Sequence, residues 1–133
     1  MDISATVKNR FENHEVVVET DGDIKVVQLS AKPTGYGSAV NGAEVLLLSV
    51  ATCFCNDIYR EAALRNIAVS EVKVVCTGEF GVVGEAGTNF QYKATVVSDA
   101  PPDAIDALIR YTDTVAEVHN TLRKGVRITL INA

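Results

Sequence analysis

The feature that most constrains this sequence is an uncharged, mostly apolar run of about 12 residues between Glu44 and Asp57. It predicts a helix from Gly42 or Ala43 to Arg65. An element that is apolar on all faces is normally buried in a core or a subunit interface, or lies in a membrane. Since the uncharged run is shorter than the ~20 residues that cross a bilayer, we predict a buried helix of a soluble protein.

Composition and charge favour one compact domain over residues 1–133. The net charge of −5 argues against nucleic acid or an anionic membrane as a partner. The N-terminus lacks the basic and apolar regions of a signal peptide, and the cysteine count of 3 is odd. An odd count without a secretory signal speaks against a disulfide framework. We therefore expect a reducing, cytoplasmic environment.

Alternating and helical periods follow one another in a definite order. The predicted elements are a strand at 3–7, a hairpin at 14–29 that turns at Asp21-Gly22-Asp23, an ordered loop at 32–42 with Asn41 as helix cap, the first helix, a hairpin with strands at 72–76 and 90–96, a second helix at 101–122 that Gly125 stops, and a strand at 126–130. This order, βββ-α-ββ-α-β with hairpins instead of crossovers, predicts an α+β fold.

Three segments carry a resemblance to a known family. They are Thr-Gly-Tyr-Gly-Ser-Ala-Val-Asn-Gly at 34–42, Glu-Val-Leu-Leu-Leu-Ser-Val-Ala-Thr-Cys at 44–53, and Thr-Asp-Thr-Val-Ala-Glu-Val-His-Asn-Thr-Leu at 112–122. With them the chain resembles the OsmC/Ohr superfamily, the osmotically inducible protein C and organic hydroperoxide resistance proteins. The resemblance covers nearly the whole chain, and the glutamate followed nine residues later by a buried cysteine is its most specific part.

The resemblance implies an assembly and an activity. OsmC-like proteins form intertwined homodimers in which two long helices pack on antiparallel sheets and meet at the subunit interface, with the active thiols close by. Characterised members reduce organic hydroperoxides with a pair of cysteines, and dithiols such as dihydrolipoyl groups recycle them. The resemblance therefore implies a thiol peroxidase that serves oxidative-stress defence.

The family's site residues transfer to this chain only in part. Cys53 matches the reactive cysteine of the first helix, whereas Ala116 stands where the peroxidases have their resolving cysteine. The chain thus resembles a branch that lacks the second thiol. Glu44 lies one residue after Ala43, the position of the peroxidases' activating glutamate, and is a candidate for that role. Arg10 is the only arginine before the helix and is the candidate activating arginine.

The surroundings of Cys53 decide whether its thiol is reactive. Burial raises a cysteine's pKa unless a positive partner offsets it, and Cys53 is too far along its helix for that helix's own dipole. Asp57 shares its face and opposes a thiolate, while Arg60 is about 10 Å further along the axis. We expect a compensating charge from Arg10, from His119 or from a partner subunit. An inert core cysteine remains the alternative.

The other candidate residues have a structural alternative as well. Cys55 lies about 200° around the helix from Cys53 and resolves it only if the helix unwinds locally. Cys76 is predicted to face the core from its strand. His119 is either a base or charge partner for the thiol or a hydrogen-bonded core or interface histidine. Glu44 either activates the thiol or complements the helix dipole.

Two functions are compatible with the sequence. The first is a cytoplasmic thiol-dependent reductase of organic hydroperoxides, in which Cys53 is oxidised to a sulfenic acid and an external thiol reduces it. The second is a non-catalytic dimer of the same fold that binds a small apolar ligand at the subunit interface. No motif predicts a cofactor, and no Cys-x-x-Cys or similar spacing predicts a metal site.

Overall fold

A computed structural model describes residues 1–132. In this part of the chain the elements are β1 (Ile3–Arg10), β2 (Asn13–Thr20), β3 (Asp23–Val26), α1 (Gly42–Leu64), β4 (Glu71–Glu79), β5 (Thr88–Val97), α2 (Pro102–Val115) and α3 (Glu117–Lys124). Antiparallel hairpins combined with separate helices confirm the predicted α+β class.

The chain divides into two compact units at residues 45 and 46. The first contains an antiparallel sheet with the strand order β1-β2-β3. Asp21 and Gly22 join β2 to β3, with φ of 47° and 88°. Positive φ at both central residues is typical of the two-residue hairpin turn that an Asp-Gly pair favours. The predicted turn is confirmed, while a single domain over 1–133 stays a prediction.

The loop before α1 is held by hydrogen bonds to the end of β1 and to the turn between β1 and β2. The Gly37 N–H donates to the Asn9 side-chain oxygen at 2.8 Å, and the Glu12 N–H donates to the Gly35 carbonyl at 2.7 Å. Gly35 and Gly37 have φ of 93° and 96°, which glycine adopts without steric cost. The glycines of this motif therefore serve a backbone conformation.

Helix α1 begins at a reciprocal cap. The Asn41 side-chain oxygen accepts from the Glu44 N–H at 2.8 Å, and the Glu44 carboxylate accepts from the Asn41 N–H at 2.9 Å. This pairing satisfies two backbone donors at the helix start. The helix ends before Asn66, which has a left-handed φ of 54°. Both predicted ends are confirmed to within a residue.

The second unit holds a core between α1, α2 and the β4–β5 hairpin. Its fully buried members are Phe54, Ile58, Ala62, Leu108 and Ala116. The inner face of the hairpin packs against them with alternate residues Val72, Val74, Tyr92, Ala94 and Val96. The predicted period-two strands are therefore confirmed.

Only one face of α1 is buried in the described part of the chain. Phe54 and Ile58 are fully buried, whereas Leu48 and Leu64 are 56% and 73% exposed. By length and composition alone, α1 is apolar enough to cross a bilayer. Phe54, Ile58 and Ala62 of α1 belong to the core, which is the packing expected for a core helix of a folded domain.

The predicted second helix is wrong in one respect, because it is divided in two. Ala116 is extended, with ψ of 111°, and separates α2 from α3. The Asn120 side chain donates to the Thr114 carbonyl at 3.0 Å, and Arg123 donates to the Asp113 carbonyl at 3.0 Å. These bonds satisfy carbonyls at the end of α2 that a continuous helix would have satisfied itself.

The predicted strand at 126–130 is not formed. Gly125, with φ of 65°, ends α3 as predicted. The following residues pair with no strand within residues 1–132. Ile128 and Leu130 are 95% and 82% exposed. A period-two pattern needs a neighbouring strand edge before it becomes a strand, and residues 1–132 do not supply one to this segment.

Candidate functional site

Cys53 lies on α1 and is the first member of a chain of hydrogen-bonded side chains, which we call the relay and which continues through Asp57 to Arg60. Its thiol donates to the Asp57 carboxylate at 3.6 Å, and the other oxygen of Asp57 accepts from Arg60 at 2.8 Å. Spacings of four and three residues place these side chains on one side of the helix. The Asp57 side chain is 9% exposed and that of Arg60 is 48% exposed. Asp57 therefore connects the thiol with a cation at the surface.

Further contacts hold the guanidinium of Arg60 in place. Glu61 accepts from Arg60 at 3.3 Å and from Arg65 at 2.9 Å. Hydrogen bonding from Arg65 is the main reason that the pKa of Glu61 lies below its ordinary value. The Arg65 guanidinium in turn lies over the Tyr111 ring, 4.4 Å from its centre. This network orients Arg60 towards Asp57.

Opposing effects act on the pKa of Cys53, which is raised overall. Burial raises it most, and hydrogen bonding from the backbone N–H of Val118 lowers it. The charge of Asp57 and its hydrogen bond with the thiol raise the pKa, and the Glu117 N–H lowers it. At neutral pH Cys53 is therefore predominantly a protonated thiol, and the Asp57 carboxylate accepts its hydrogen bond.

The amides near Cys53 belong to the first turn of α3, where Glu117 and Val118 have no acceptor within their own helix. The N-terminus of a helix carries partial positive charge and stabilises an anion. The sequence does not predict this source of positive charge, because a helix that continues through Ala116 has no N-terminus there. The signal present in the sequence was the group of backbone-bonding residues, Thr114 and Asn120, around the break.

His119 is buried beside this site, with 4% of its surface exposed. Its ring lies 5.5 Å from the Phe54 ring and 4.6 Å from the Tyr92 ring, centre to centre. Burial, followed by the charge of Arg123, lowers its pKa, so the ring is neutral at pH 7. Neither ring nitrogen has a hydrogen-bond partner within residues 1–132. His119 is therefore a buried histidine, but the hydrogen bond predicted for its ring is not formed within residues 1–132.

His119 is not among the groups that shift the pKa of Cys53. The groups that set the thiol's pKa are Asp57 and the two α3 amides. A role for His119 as base or charge partner stays a prediction.

Glu44 and Arg10 have structural partners within the first unit. The Glu44 carboxylate is engaged in the α1 cap. Arg10 lies 3.6 Å from Glu15 and donates to Asn13 at 3.4 Å. Their predicted catalytic roles stay predictions.

All three cysteines are free thiols. Cys55 lines a shallow depression with Thr52, Asn56 and Val74. Cys76 lies on the inner face of β4, where burial raises its pKa. Residues 1–132 contain no group of three or more potential metal ligands.

Several solved structures share this fold. An OsmC-like protein from Mycoplasma pneumoniae is 21% identical, with a TM-score of 0.62 over 94% of this chain and 87% of its own. An OsmC-like hydroperoxide resistance protein from Jannaschia sp. CCS1 is 14% identical, with a TM-score of 0.58 over 98% and 92%. An organic hydroperoxide resistance protein OsmC from Legionella pneumophila is 22% identical, with a TM-score of 0.55 over 94% of each chain. At these identities the likeness shows the fold.

Two comparisons of the sequence gave different results. The comparison with curated protein sequences found no match, whereas the comparison with family models found one. The family model described as OsmC-like protein matches residues 35–131, from the loop before α1 to the segment after α3. This span holds Cys53, its relay and the α3 amides. The chain therefore belongs to the OsmC-like protein family.

Proposed function

We propose that this protein is a thiol-dependent reductase of organic hydroperoxides in oxidative-stress defence, with Cys53 as the reactive thiol. The observation that carries the proposal is the hydrogen bond from the Cys53 thiol to the Asp57 carboxylate at 3.6 Å, together with the N-terminal amides of α3, which lower the pKa of the thiol. Family membership supports it, as do the names of the Jannaschia and Legionella proteins.

The proposed oxidation uses each of these groups. Asp57 accepts the thiol proton, and the α3 amides stabilise the negative charge that develops on sulfur. The sulfur attacks the terminal peroxide oxygen, and the O–O bond breaks. The alkoxide takes up a proton, so that one thiol and one hydroperoxide give one sulfenic acid and one alcohol. Arg60 holds Asp57 in position for the transfer.

Reduction of the sulfenic acid uses thiols from outside the chain, because Ala116 supplies none and Cys55 lies on a different face of α1 from Cys53. One external thiol forms a mixed disulfide with Cys53 and releases water. A second external thiol displaces Cys53 and leaves as a disulfide with the first. Free cysteines and this need for reducing thiols support our proposal of a cytoplasmic location.

The oxidised product provides the direct test. After limiting cumene hydroperoxide, we expect intact mass to rise by one oxygen atom, about 16 Da, or by a thiol adduct, at Cys53. The Cys53→Ala protein should show neither change, and the Cys55→Ala protein should behave as wild type. A loss of two hydrogen atoms that maps to Cys53 and Cys55 would show that Cys55 is the resolving thiol. An unmodified Cys53 would contradict the proposed function.

We also propose that the protein is a homodimer. Apolar residues of α1 and of the C-terminal segment are exposed in the protomer, among them Leu48, Leu64, Ile128 and Leu130. A contiguous patch of such residues would mark an interface, and the exposure of these large apolar side chains supports one here. A period-two segment without a strand partner is further suited to pairing with a second copy.

Light scattering is expected to give twice the chain mass of 14.2 kDa at micromolar concentration. The Leu48→Glu protein should be monomeric, because a buried, unpaired charge opposes association. Asp103→Lys changes an exposed charge on α2 and serves as the matched control. A wild-type protein that scatters as a monomer would contradict the homodimer.

A further inference from the structure

A cavity of about 240 Å³ lies in the second unit between α1, the β4–β5 hairpin and α3. Its wall is mainly apolar and includes Val50, Cys76, Phe90, Tyr92, His119 and Leu122. Cys53 is not part of this wall. The cavity therefore lies next to the thiol site but does not include the Cys53 thiol.

One polar side chain in this wall is buried and unpaired. His119 is 4% exposed, and both of its ring nitrogens lack a partner within residues 1–132. A buried polar group without a hydrogen bond is costly and is uncommon in folded proteins. Because its pKa is lowered by burial, the ring is neutral and offers one N–H donor and one nitrogen acceptor.

The charged residue in the wall is already engaged. Arg123 lies 2.6 Å from the Asp113 carboxylate and also donates to the Asp113 carbonyl at 3.0 Å. Tyr92 donates its hydroxyl to the same carboxylate. Gln91 also lines the cavity, but it is exposed and donates its amide to Asn89 at 3.3 Å, so the buried polar group that remains for a ligand is the imidazole of His119. This arrangement suits an uncharged ligand.

We propose that this cavity, the His119 pocket, binds a small, uncharged and mostly apolar molecule that carries one hydroxyl group. A hydroxyl donates to one ring nitrogen or accepts from the other, so either tautomer of His119 recognises it. A dry cavity of about 150 Å³ holds benzene, and the larger His119 pocket has room for an aromatic ring with a hydroxymethyl group. The pocket does not depend on Cys53 chemistry.

Benzyl alcohol and toluene form a matched pair of probes that differ by the hydroxyl. Titration calorimetry should show saturable binding of benzyl alcohol about fivefold tighter than that of toluene, the ratio expected for one net hydrogen bond. In the NMR spectrum, benzyl alcohol should shift the imidazole signals of His119. The signals of His14, the other histidine of the chain, should not move.

Three variants test the hydrogen bond, the location of the pocket and its independence from the thiol. His119→Leu should bind the two probes equally, since it removes the hydrogen bond and keeps an apolar wall. Leu122 is 38% exposed, and a tryptophan at this position should fill the pocket. The affinity of Leu122→Trp for both probes should therefore fall at least several-fold. Cys53→Ala should bind both as wild type does, which keeps this test independent of peroxide reduction.

Absence of saturable binding to the wild-type protein would overturn the proposal. Equal affinity for the two probes, or a shift of His14 in place of His119, would overturn it as well. If His119→Leu fails to fold, the wild-type affinity ratio and the Leu122→Trp protein still decide the outcome.

Discussion

A protein in which Ala116 is replaced by cysteine is expected to form an internal disulfide with Cys53 when an organic hydroperoxide oxidises it. Ala116 directly precedes Glu117 and Val118, whose backbone N–H groups lower the pKa of Cys53, and Cys53 packs against the core cluster to which Ala116 belongs. A thiol at this position would condense with the sulfenic acid and release water. The product would then be two hydrogen atoms lighter than the reduced protein, where wild type gains an oxygen atom.

The new thiol also has a structural cost. Ala116 is fully buried, and an added sulfur atom in a packed core typically costs about 1–3 kcal/mol. We expect the reduced variant to be less stable than wild type and the disulfide to recover part of the loss. Thermal unfolding of the reduced and oxidised proteins measures both effects.

Intact mass after limiting cumene hydroperoxide is the primary measurement, and a Cys55→Ser background removes the neighbouring thiol. Asp103→Cys places the additional cysteine at an exposed position of α2 and is the matched control. The control should yield a sulfenic acid, as in wild type. A stable sulfenic acid in the Ala116→Cys protein would show that this position does not reach Cys53.

Elements with local sequence signals were predictable. The Asp21-Gly22 turn and the Asn41–Glu44 cap each depend on side chains within three residues of one another, so the sequence alone shows them. The inner faces of β4 and β5 were predictable for a similar reason, since alternation along a strand is itself local.

Elements that depend on distant partners were not predictable in this way. The break at Ala116 is satisfied by Asn120 and Arg123, whose bonds to α2 carbonyls form only once α3 has turned. Propensity favours a continuous helix through this alanine and the following glutamate. The segment at 126–130 has the alternation of a strand, but a strand also requires an edge to pair with.

The same difference between local signals and distant partners applies to the residues of the candidate site. Cys53 was predicted by the family resemblance, and helical spacing placed Asp57 and Arg60 on its face. The amides of Glu117 and Val118 were missed because they follow from the break between α2 and α3. The carboxylate that opposes a thiolate was therefore predictable from the sequence, whereas the amides that favour a thiolate were not.

Replacing Asp57 with asparagine is expected to change two rates of Cys53 in opposite directions. The Asp57 charge and its hydrogen bond both raise the pKa of the thiol, so their removal lowers it. Arg60 offsets part of this effect, so the pKa falls by less than the removal of an unpaired charge would give. Since a lower pKa leaves a larger thiolate fraction at pH 7, alkylation by iodoacetamide should rise several-fold, to about tenfold at most.

Reduction of hydroperoxide by the same Asp57→Asn protein should fall, because an amide does not accept the thiol proton. Loss of a general base typically costs about 10²–10⁴-fold, and the larger thiolate fraction recovers about one factor of ten at most. Glu61→Gln is the matched control, since Glu61 contacts Arg60 but not the Cys53 sulfur, and it should leave alkylation nearly unchanged. If peroxide reduction instead rises in parallel with alkylation, Asp57 only suppresses the thiolate and the proton acceptor in the proposed mechanism is a different group.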